Sequence, residues 1–440
     1  MINLPNTGLR SRMMQRVAVI GGGAAGLCAA RHILSRPDSF APPVVFELND
    51  RIGGTWCYEE RPEASRGAAH SSMYRDLRTN LPKEVMMFPD FPFERQLSSF
   101  LPHQEVQKYL ESYSHSHNIW PHIRFHTEVE NVKPALKTPE GGATSWEVTS
   151  CDTQGRQKTE TFDSVLVCSG HYSDPHVPSV PGIHSFKGAV LHSHSYRFPE
   201  PFSGQTVLVL GAKASGLDIS FELAKAGAQV ILSHGRPRLT FPLPPGIRQS
   251  SPLVAIEEDG SVRFQDGSLG RADVLMFCTG YNFKYPFLDA DQLGLKIQDH
   301  MVSPLYRYLM PPAFPSLFFI SICKLICPFP FFNCQVQFSL AVLDGSVPLP
   351  SRAEMEDEVL QELQEKVERG VEQRHLLVLQ QDQWEYCQKL AQDAGFTPLP
   401  PVTRSLYKEV WRQREIHPEN YRRLNYRLVS DTQWEVQPAV

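Results

Sequence analysis

The sequence holds no unbroken apolar run of the length a membrane crossing needs. Its most apolar stretch, Leu309 to Leu343, is cut by prolines at 311, 312, 315, 328 and 330 and by Lys324. A spanning helix wants about 20 consecutive apolar residues. The stretch reads instead as buried strand, loop and core helix, and peripheral contact with a membrane stays open. Blocks of like charge longer than a few residues are also missing, and the net charge of -5 gives no footing for nucleic acid. The N-terminus lacks the basic-then-apolar build of a secretory signal, and residues 1 to 14 read as a short disordered leader. Cysteine is scarce and scattered, nine in 440 residues with no C-x-x-C pair. That usage fits free thiols in a reducing, cytoplasmic setting. Cys323 and Cys327 form an isolated C-x3-C without a second pair, so no metal site is expected.

What the sequence does contain is one pattern, twice. "RVAVIGGGAAGLCAARHIL" (16 to 34) reads as strand, glycine turn and helix, and "PVVFELND" (43 to 50) as a second strand ending in Glu47. Gly21, Gly23 and Gly26 suit a tight turn, close approach of a diphosphate and close helix–strand packing. The helix N-terminus favours the diphosphate, and Glu47 can take ribose hydroxyls. The pattern returns at 206 to 234: strand and turn in "TVLVLGAKASG", helix in "LDISFELAKAG", second strand in "AQVILSH". Two such sites in one chain suggest a flavin and a nicotinamide cofactor. The second strand ends in Ser233 rather than an acid, and Arg236 and Arg238 follow. Loss of the acid removes repulsion for a 2′-phosphate, and either arginine can bind one. FAD is therefore expected at the first turn and NADPH at the second.

Lys213 stands where the second glycine of the later turn belongs. A Cβ there predicts a small retreat of the diphosphate, while the ammonium offers it a partner. The rival expectation is a non-catalytic FAD-binding chain with an impaired NADPH site. Ser215, Gly216 and Asp218 keep an S-G-x-D pattern that favours the enzyme.

Two further strands, in "FDSVLVCSGHY" (162 to 172) and "ADVLMFCTGYN" (272 to 282), end alike. Gly170 and Gly280 are expected to let the backbone pass a cofactor and turn between domains. The reading is an α/β fold of two Rossmann-type dinucleotide-binding domains. The NADPH domain (176–283) is inserted into the FAD domain (1–175), which resumes with C-terminal helices at 284–440. Residues 352 to 393 look helical, a packing and surface element.

These motifs, with "GGTW" (53 to 56), "TNLPKEVMMFPDFPF" (79 to 93), "FKGAVLHSHSYR" (186 to 197) and "FCTGY" (277 to 281), resemble the class B flavin-containing monooxygenases. Phe186, Gly188, His192 and Tyr196 match that family's identifying motif, and Tyr196-Arg197 fits its N- and S-oxygenating branch. The length is similar to that of the short, soluble members.

The resemblance implies an oxidoreductase that inserts one oxygen atom from dioxygen into a soft sulfur or nitrogen of a small molecule, through a flavin C4a-hydroperoxide. Baeyer–Villiger oxygenation of ketones is the alternative enzyme. It implies that Asn80 is the active-site amide, against an Asx turn before Pro82, and that His192 is structural. The implied cofactor contacts are Gly21, Gly22, Gly23, Ala24, Ala25, Gly26, Glu47, Gly54, Thr55, Trp56, Thr79 and Leu81 at the first site. At the second they are Gly211, Ala212, Lys213, Ala214, Ser215, Gly216, Asp218 and Arg236. A homodimer is compatible with the sequence. A disulfide reductase would need a redox cysteine pair beside the flavin, and Cys57 stands alone.

Overall fold

Val17–Ile20 and Thr206–Leu210 are short strands of mostly buried aliphatic residues. Each runs straight into a glycine at φ 108°, Gly21 and Gly211, a left-handed conformation that side chains rarely adopt. Each glycine is followed by a helix, Ala24–Leu34 and Ala214–Lys225. The computed structural model describes residues 14–60, 71–135, 145–298 and 300–437, so all but the last residue of the expected leader lies outside it.

Each strand is the centre of a parallel five-stranded sheet. The first has the order Leu317–Phe319, Ser164–Val167, Val17–Ile20, Val44–Phe46, Ile123–Arg124. The second has the order Ile247–Ser250, Gln229–Ser233, Thr206–Leu210, Val274–Phe277, Ala189–His192. In both, the strand order reverses beside the strand that carries the glycine turn. That places a crevice at the carboxyl ends of the central strands, where doubly wound sheets take ligands. The last strand of the second sheet comes from chain before its first turn, so the two sheets are alike in layout and permuted in sequence. The strand before Glu47 ends at Phe46, shorter than the 43–50 stretch suggests; Glu47 lies just beyond it, on the crevice side.

All strands of the second sheet lie between two strands of the first. The chain crosses over at Asp174–Pro175 and returns at Tyr281–Asn282, and these pieces pair antiparallel. Gly170 and Gly280 take φ 71° and 85° just before each crossing. A three-stranded antiparallel meander (Thr127–Pro134, Trp146–Asp152, Gln157–Phe162) fills the connection between strands of the first sheet.

The apolar stretch at 309–343 becomes the strand Leu317–Phe319 and the helix Pro328–Leu343. Prolines 328 and 330 sit in the helix's first turn, where a missing N–H costs nothing. The helix is buried nearly all round, as its apolar composition requires. Its buried polar groups are paired: Asn333 Oδ1 with His32 Nε2 at 2.7 Å, Gln335 Oε1 with the Ser321 amide at 3.0 Å. No helix among the described residues is long and apolar enough to cross a membrane.

The expected 352–393 helix is broken. Arg352–Glu368 opens on a Ser351–Glu354 capping box and stops where Gly370 takes φ 75°. The next helix is Gln383–Ala394. Between them the chain makes two tight turns, Gln373–His375 and Gln380–Asp382, and the first reaches the second nucleotide turn.

Candidate functional site

The two glycine turns are near copies. A Cβ on Gly21 would stand 2.6 Å from the Cys168 carbonyl, and one on Gly211 2.6 Å from the Cys278 carbonyl. A Cβ on Gly26 would stand 1.8 Å from the Gly21 carbonyl, and one on Gly216 1.8 Å from the Gly211 carbonyl. Tertiary packing therefore demands these four glycines. The middle position is different. Gly23 and Lys213 each cap their helix in an extended conformation, φ -76° and -87°, which any residue adopts. A Cβ on Gly23 would meet only Gly54, at 3.6 Å, an ordinary contact. The fold does not ask for glycine there, so its use fits a ligand that comes close to the backbone. Both turns thus fit a diphosphate at a helix N-terminus.

Around the first turn the expected residues converge. Glu47 is buried, and its Oε2 accepts from the Gly22 amide at 2.7 Å. Its Oε1 accepts from the Asn49 amide and side chain at 2.8 and 3.0 Å. An ionised carboxylate has about four acceptor sites, which leaves capacity for a ribose hydroxyl. Gly53 donates to the Gly22 carbonyl at 3.1 Å and opens the tight turn Gly54–Trp56. Burial, then Glu47, pushes the Cys57 thiol up to about 12, unsuited to thiolate chemistry. All nine cysteines are free. Among the described residues no group of three His, Cys, Asp or Glu side chains could hold a metal ion.

The second turn is ringed by cations. Lys213 Nζ lies 3.3 Å from His375 Nε2. Partial desolvation, then Arg236 and Arg374, lowers the lysine's pKa. Arg236 is thus close enough for its charge to act on Lys213. Lys324 stands beside them, its ammonium 4.6 Å above the Phe283 ring and without an ion pair among the described residues. Burial, then Lys213, lowers it to about 8. Arg374 alone in this group is paired, with Glu372 at 2.6 Å. Lys324 and His375 were not legible in the sequence, because they lie more than a hundred positions beyond the turn, after the strand Leu317–Phe319 and in the turn Gln373–His375. Two backbone bonds between Lys324 and Leu377/Leu379 align the loops, and the buried Lys366 braces them through the Leu376 carbonyl at 2.7 Å.

Asn80 is exposed, and its side chain makes no hydrogen bond among the described residues, so no Asx turn forms. Its neighbour Thr79 is buried and fixed, the amide and Oγ1 bonding Leu101 at 2.8 and 3.0 Å. Leu81 is buried in the core. A free amide thus follows directly on a buried residue bonded twice to Leu101. Ala212 is buried, and Ala214 and Ser215 are exposed at the helix mouth. Asp218 is placed elsewhere: its carboxylate pairs with Arg422 at 2.6 and 3.0 Å and with the Tyr74 hydroxyl at 2.8 Å.

Four residues of the 186-to-197 motif are tied into the fold. A Cβ on Gly188 would stand 2.1 Å from the Asp273 carbonyl. Buried His192 accepts the His194 amide at 3.0 Å, and desolvation lowers its pKa to about 4. Tyr196 is buried, donates to Glu222 at 2.7 Å and packs on Tyr74. Arg197 donates to the carbonyls of Glu59, Ser71, His194 and Tyr196.

A family model described as Flavin-binding monooxygenase-like matches residues 14–238 and 246–438. Flavin-containing monooxygenase FMO GS-OX-like 4 of Arabidopsis thaliana is 36% identical over 427 residues, 92% of this chain and 93% of its own. The structure of S-allyl-L-cysteine S-oxygenase from Allium sativum superposes with a TM-score of 0.85 at 36% identity, over 94% of this chain and 95% of that one. Tmm from Pelagibacter sp. strain HTCC7211 superposes with a TM-score of 0.83 at 28% identity, over 96% of each chain.

Proposed function

The chain belongs to the flavin-binding monooxygenase-like family and is a flavin-containing monooxygenase working with FAD and NADPH, and from that premise we propose that the atom it oxygenates is the sulfur of a small thioether. The observation that carries this is the likeness, over 94% of the chain, to an S-oxygenase of S-allyl-L-cysteine.

FAD is assigned to the first turn and NADPH to the second. Glu47 supports the first half of this, since it offers free acceptor capacity to ribose hydroxyls. Arg236, Lys213 and Lys324 support the second, since together they suit the 2′-phosphate and diphosphate of NADPH. The crossing strands at 174–175 and 281–282 support an NADPH-binding insert of 176–283 within an FAD-binding remainder. Nine free cysteines support a reducing, cytoplasmic setting.

FAD held by the first turn and Glu47 would supply the redox chemistry, in which NADPH, a proton, dioxygen and thioether give NADP⁺, water and sulfoxide. The protein's part is binding, orientation and exclusion of water. Its helix N-termini and turn amides hold the diphosphates. Lys213 and Lys324 draw the NADPH phosphates toward the crevice. Asn80, with an unused amide directly after the buried Thr79, donates a hydrogen bond to the oxygen being transferred.

The test mixes purified, FAD-loaded protein with NADPH, air and panels of thioethers, tertiary amines and ketones, and follows products by mass. Sulfoxide formed in step with NADPH consumption is the expected result. Turnover of amines or ketones with no thioether oxidised would overturn the assignment to sulfur.

A further inference from the structure

Arg422 stands in the tight turn Tyr421–Arg423, close to the C-terminal end of the chain and far in sequence from either nucleotide turn. Its guanidinium nevertheless joins the helix of the second turn to the segment that carries Asn80. Nη1 and Nη2 form a two-pronged pair with Asp218 Oδ1 and Oδ2 at 2.6 and 3.0 Å. Nε donates to the Thr79 carbonyl at 3.1 Å. The Tyr421 ring lies under the guanidinium at 5.0 Å. Only arginine presents donors in this fixed planar fork.

The two ends of this bridge matter. Asp218 lies in the first turns of the helix Ala214–Lys225, whose N-terminus forms the second nucleotide turn. Thr79 is the residue before Asn80. The peptide that carries Asn80 is therefore tied, through one side chain, to the helix that faces NADPH. A second contact braces the same helix face one turn further on, where Glu222 accepts from Tyr196, itself packed on Tyr74. Tyr74 in turn donates to Asp218.

Building on the cofactor assignment above, we propose that Arg422 is a positioning residue for oxygen transfer: through Asp218 and the Thr79 carbonyl it sets the placement of Asn80 relative to the NADPH-facing helix. Arg422 is assigned a positioning role, not that of a cofactor or substrate ligand. It acts by fixing the carbonyl next to Asn80, so that the free amide keeps one position when the helix takes up its nucleotide. The S-G-x-D aspartate is thereby a partner of Arg422 rather than a cofactor ligand.

The proposal separates two outcomes of dioxygen consumption. In the coupled reaction, NADPH, a proton, dioxygen and thioether give NADP⁺, water and sulfoxide. In the uncoupled one, NADPH, a proton and dioxygen give NADP⁺ and hydrogen peroxide. A misplaced Asn80 shifts flow from the first to the second and leaves hydride delivery alone.

The experiment compares Arg422→Lys, Asp218→Asn and wild type as FAD-loaded full-length proteins. The first readout needs no turnover: amide hydrogen exchange across residues 77–82, without nucleotide. Asp218→Asn leaves the Thr79 side of the bridge intact, but Asp218 also meets the Tyr74 hydroxyl, and the Tyr74 carbonyl accepts from the Leu77 amide, so Tyr74→Phe is the control. Exchange at 77–82 that is faster in Asp218→Asn than in Tyr74→Phe reports transmission through Arg422. The second readout is the fraction of consumed NADPH recovered as hydrogen peroxide, expected to rise severalfold in both variants while the rate of anaerobic flavin reduction stays near wild type. Arg422→Lys retains the charge, so it is expected to recover thermal stability more fully than coupling. Exchange at 77–82 in Asp218→Asn no faster than in Tyr74→Phe, together with wild-type coupling in Arg422→Lys and Asp218→Asn, would overturn the proposal. Loss of hydride transfer from NADPH in wild type would instead remove the cofactor assignment, and the exchange readout would still judge the bridge.

Discussion

Nζ of Lys213 lies 3.3 Å from Nε2 of His375, so the second nucleotide turn meets a side chain 162 positions further along the chain. The nearby acid, Glu372, is paired with Arg374, and Lys324 and Arg236 add to the same positive field. A cluster of cations without enough carboxylates is unfavourable in the free protein and is relieved by a polyanion.

Reversing the charge at Lys213 tests that field. Lys213→Glu is expected to raise the NADPH concentration for half-maximal anaerobic flavin reduction about ten- to hundredfold, from about 1.4–2.8 kcal/mol of lost attraction. Lys213→Gly should be mild, because close backbone approach returns as the ammonium leaves. FAD content should be unchanged in both. Equal NADPH dependence in Lys213→Glu and wild type would mean that the lysine faces solvent.

Lys324 adds a pH dependence. Burial lowers its ammonium to about 8, so the free protein carries the charge below that pH and loses it above. An anion bound beside it stabilises the protonated form, so NADPH affinity is expected to be level below about pH 8 and to weaken as the pH rises past it. In Lys324→Met the affinity should be weaker at pH 7 and no longer fall at that pH. Fluorescence titration with NADP⁺ across pH 6.5 to 9.5, on the FAD-loaded protein, measures this. A wild-type profile with no fall above pH 8 would remove Lys324 from the site.

Gly23 tests the first turn. Its backbone conformation suits any residue, and an added Cβ meets only Gly54 at ordinary distance. Gly23→Leu is therefore expected to fold while losing FAD, because the larger side chain occupies the diphosphate's approach. Circular dichroism and flavin absorbance separate the two effects. A yellow Gly23→Leu protein with one FAD per chain would contradict the assignment.

Asn80→Ala is expected to keep FAD content and flavin reduction but to lose sulfoxide. One preorganised donor removed costs about 2.7–4 kcal/mol of transition-state stabilisation. NADPH oxidation should continue, with hydrogen peroxide as product. Sulfoxidation at the wild-type rate in this variant would leave Asn80 without a role in transfer.

Much of the architecture was legible because its signals are local. The paired strand–turn–helix patterns, the Gly21 and Gly211 turns and the apolar core helix each follow from residues adjacent in the chain. The broken helix was less legible, since "EKVERGVEQRH" keeps a helical pattern through Gly370 and the stop depends on φ 75° at that glycine. Asp218 was read as part of the nucleotide turn because it is next to it in sequence. The side chain points away, toward Arg422, which no local spacing indicates.

The sequence alone thus determined the two parallel sheets, the family and the residues that make each turn, since glycine spacing and strand periodicity are constraints of neighbouring backbone. Tertiary structure decided which side chains meet at the crevice. Lys324, His375 and Arg422 come from segments that reach it only when the C-terminal loops pack back over the two sheets. Charge and hydrogen bonding depend on distance in space, and a span of 162 positions between Lys213 and His375 leaves no periodicity to read.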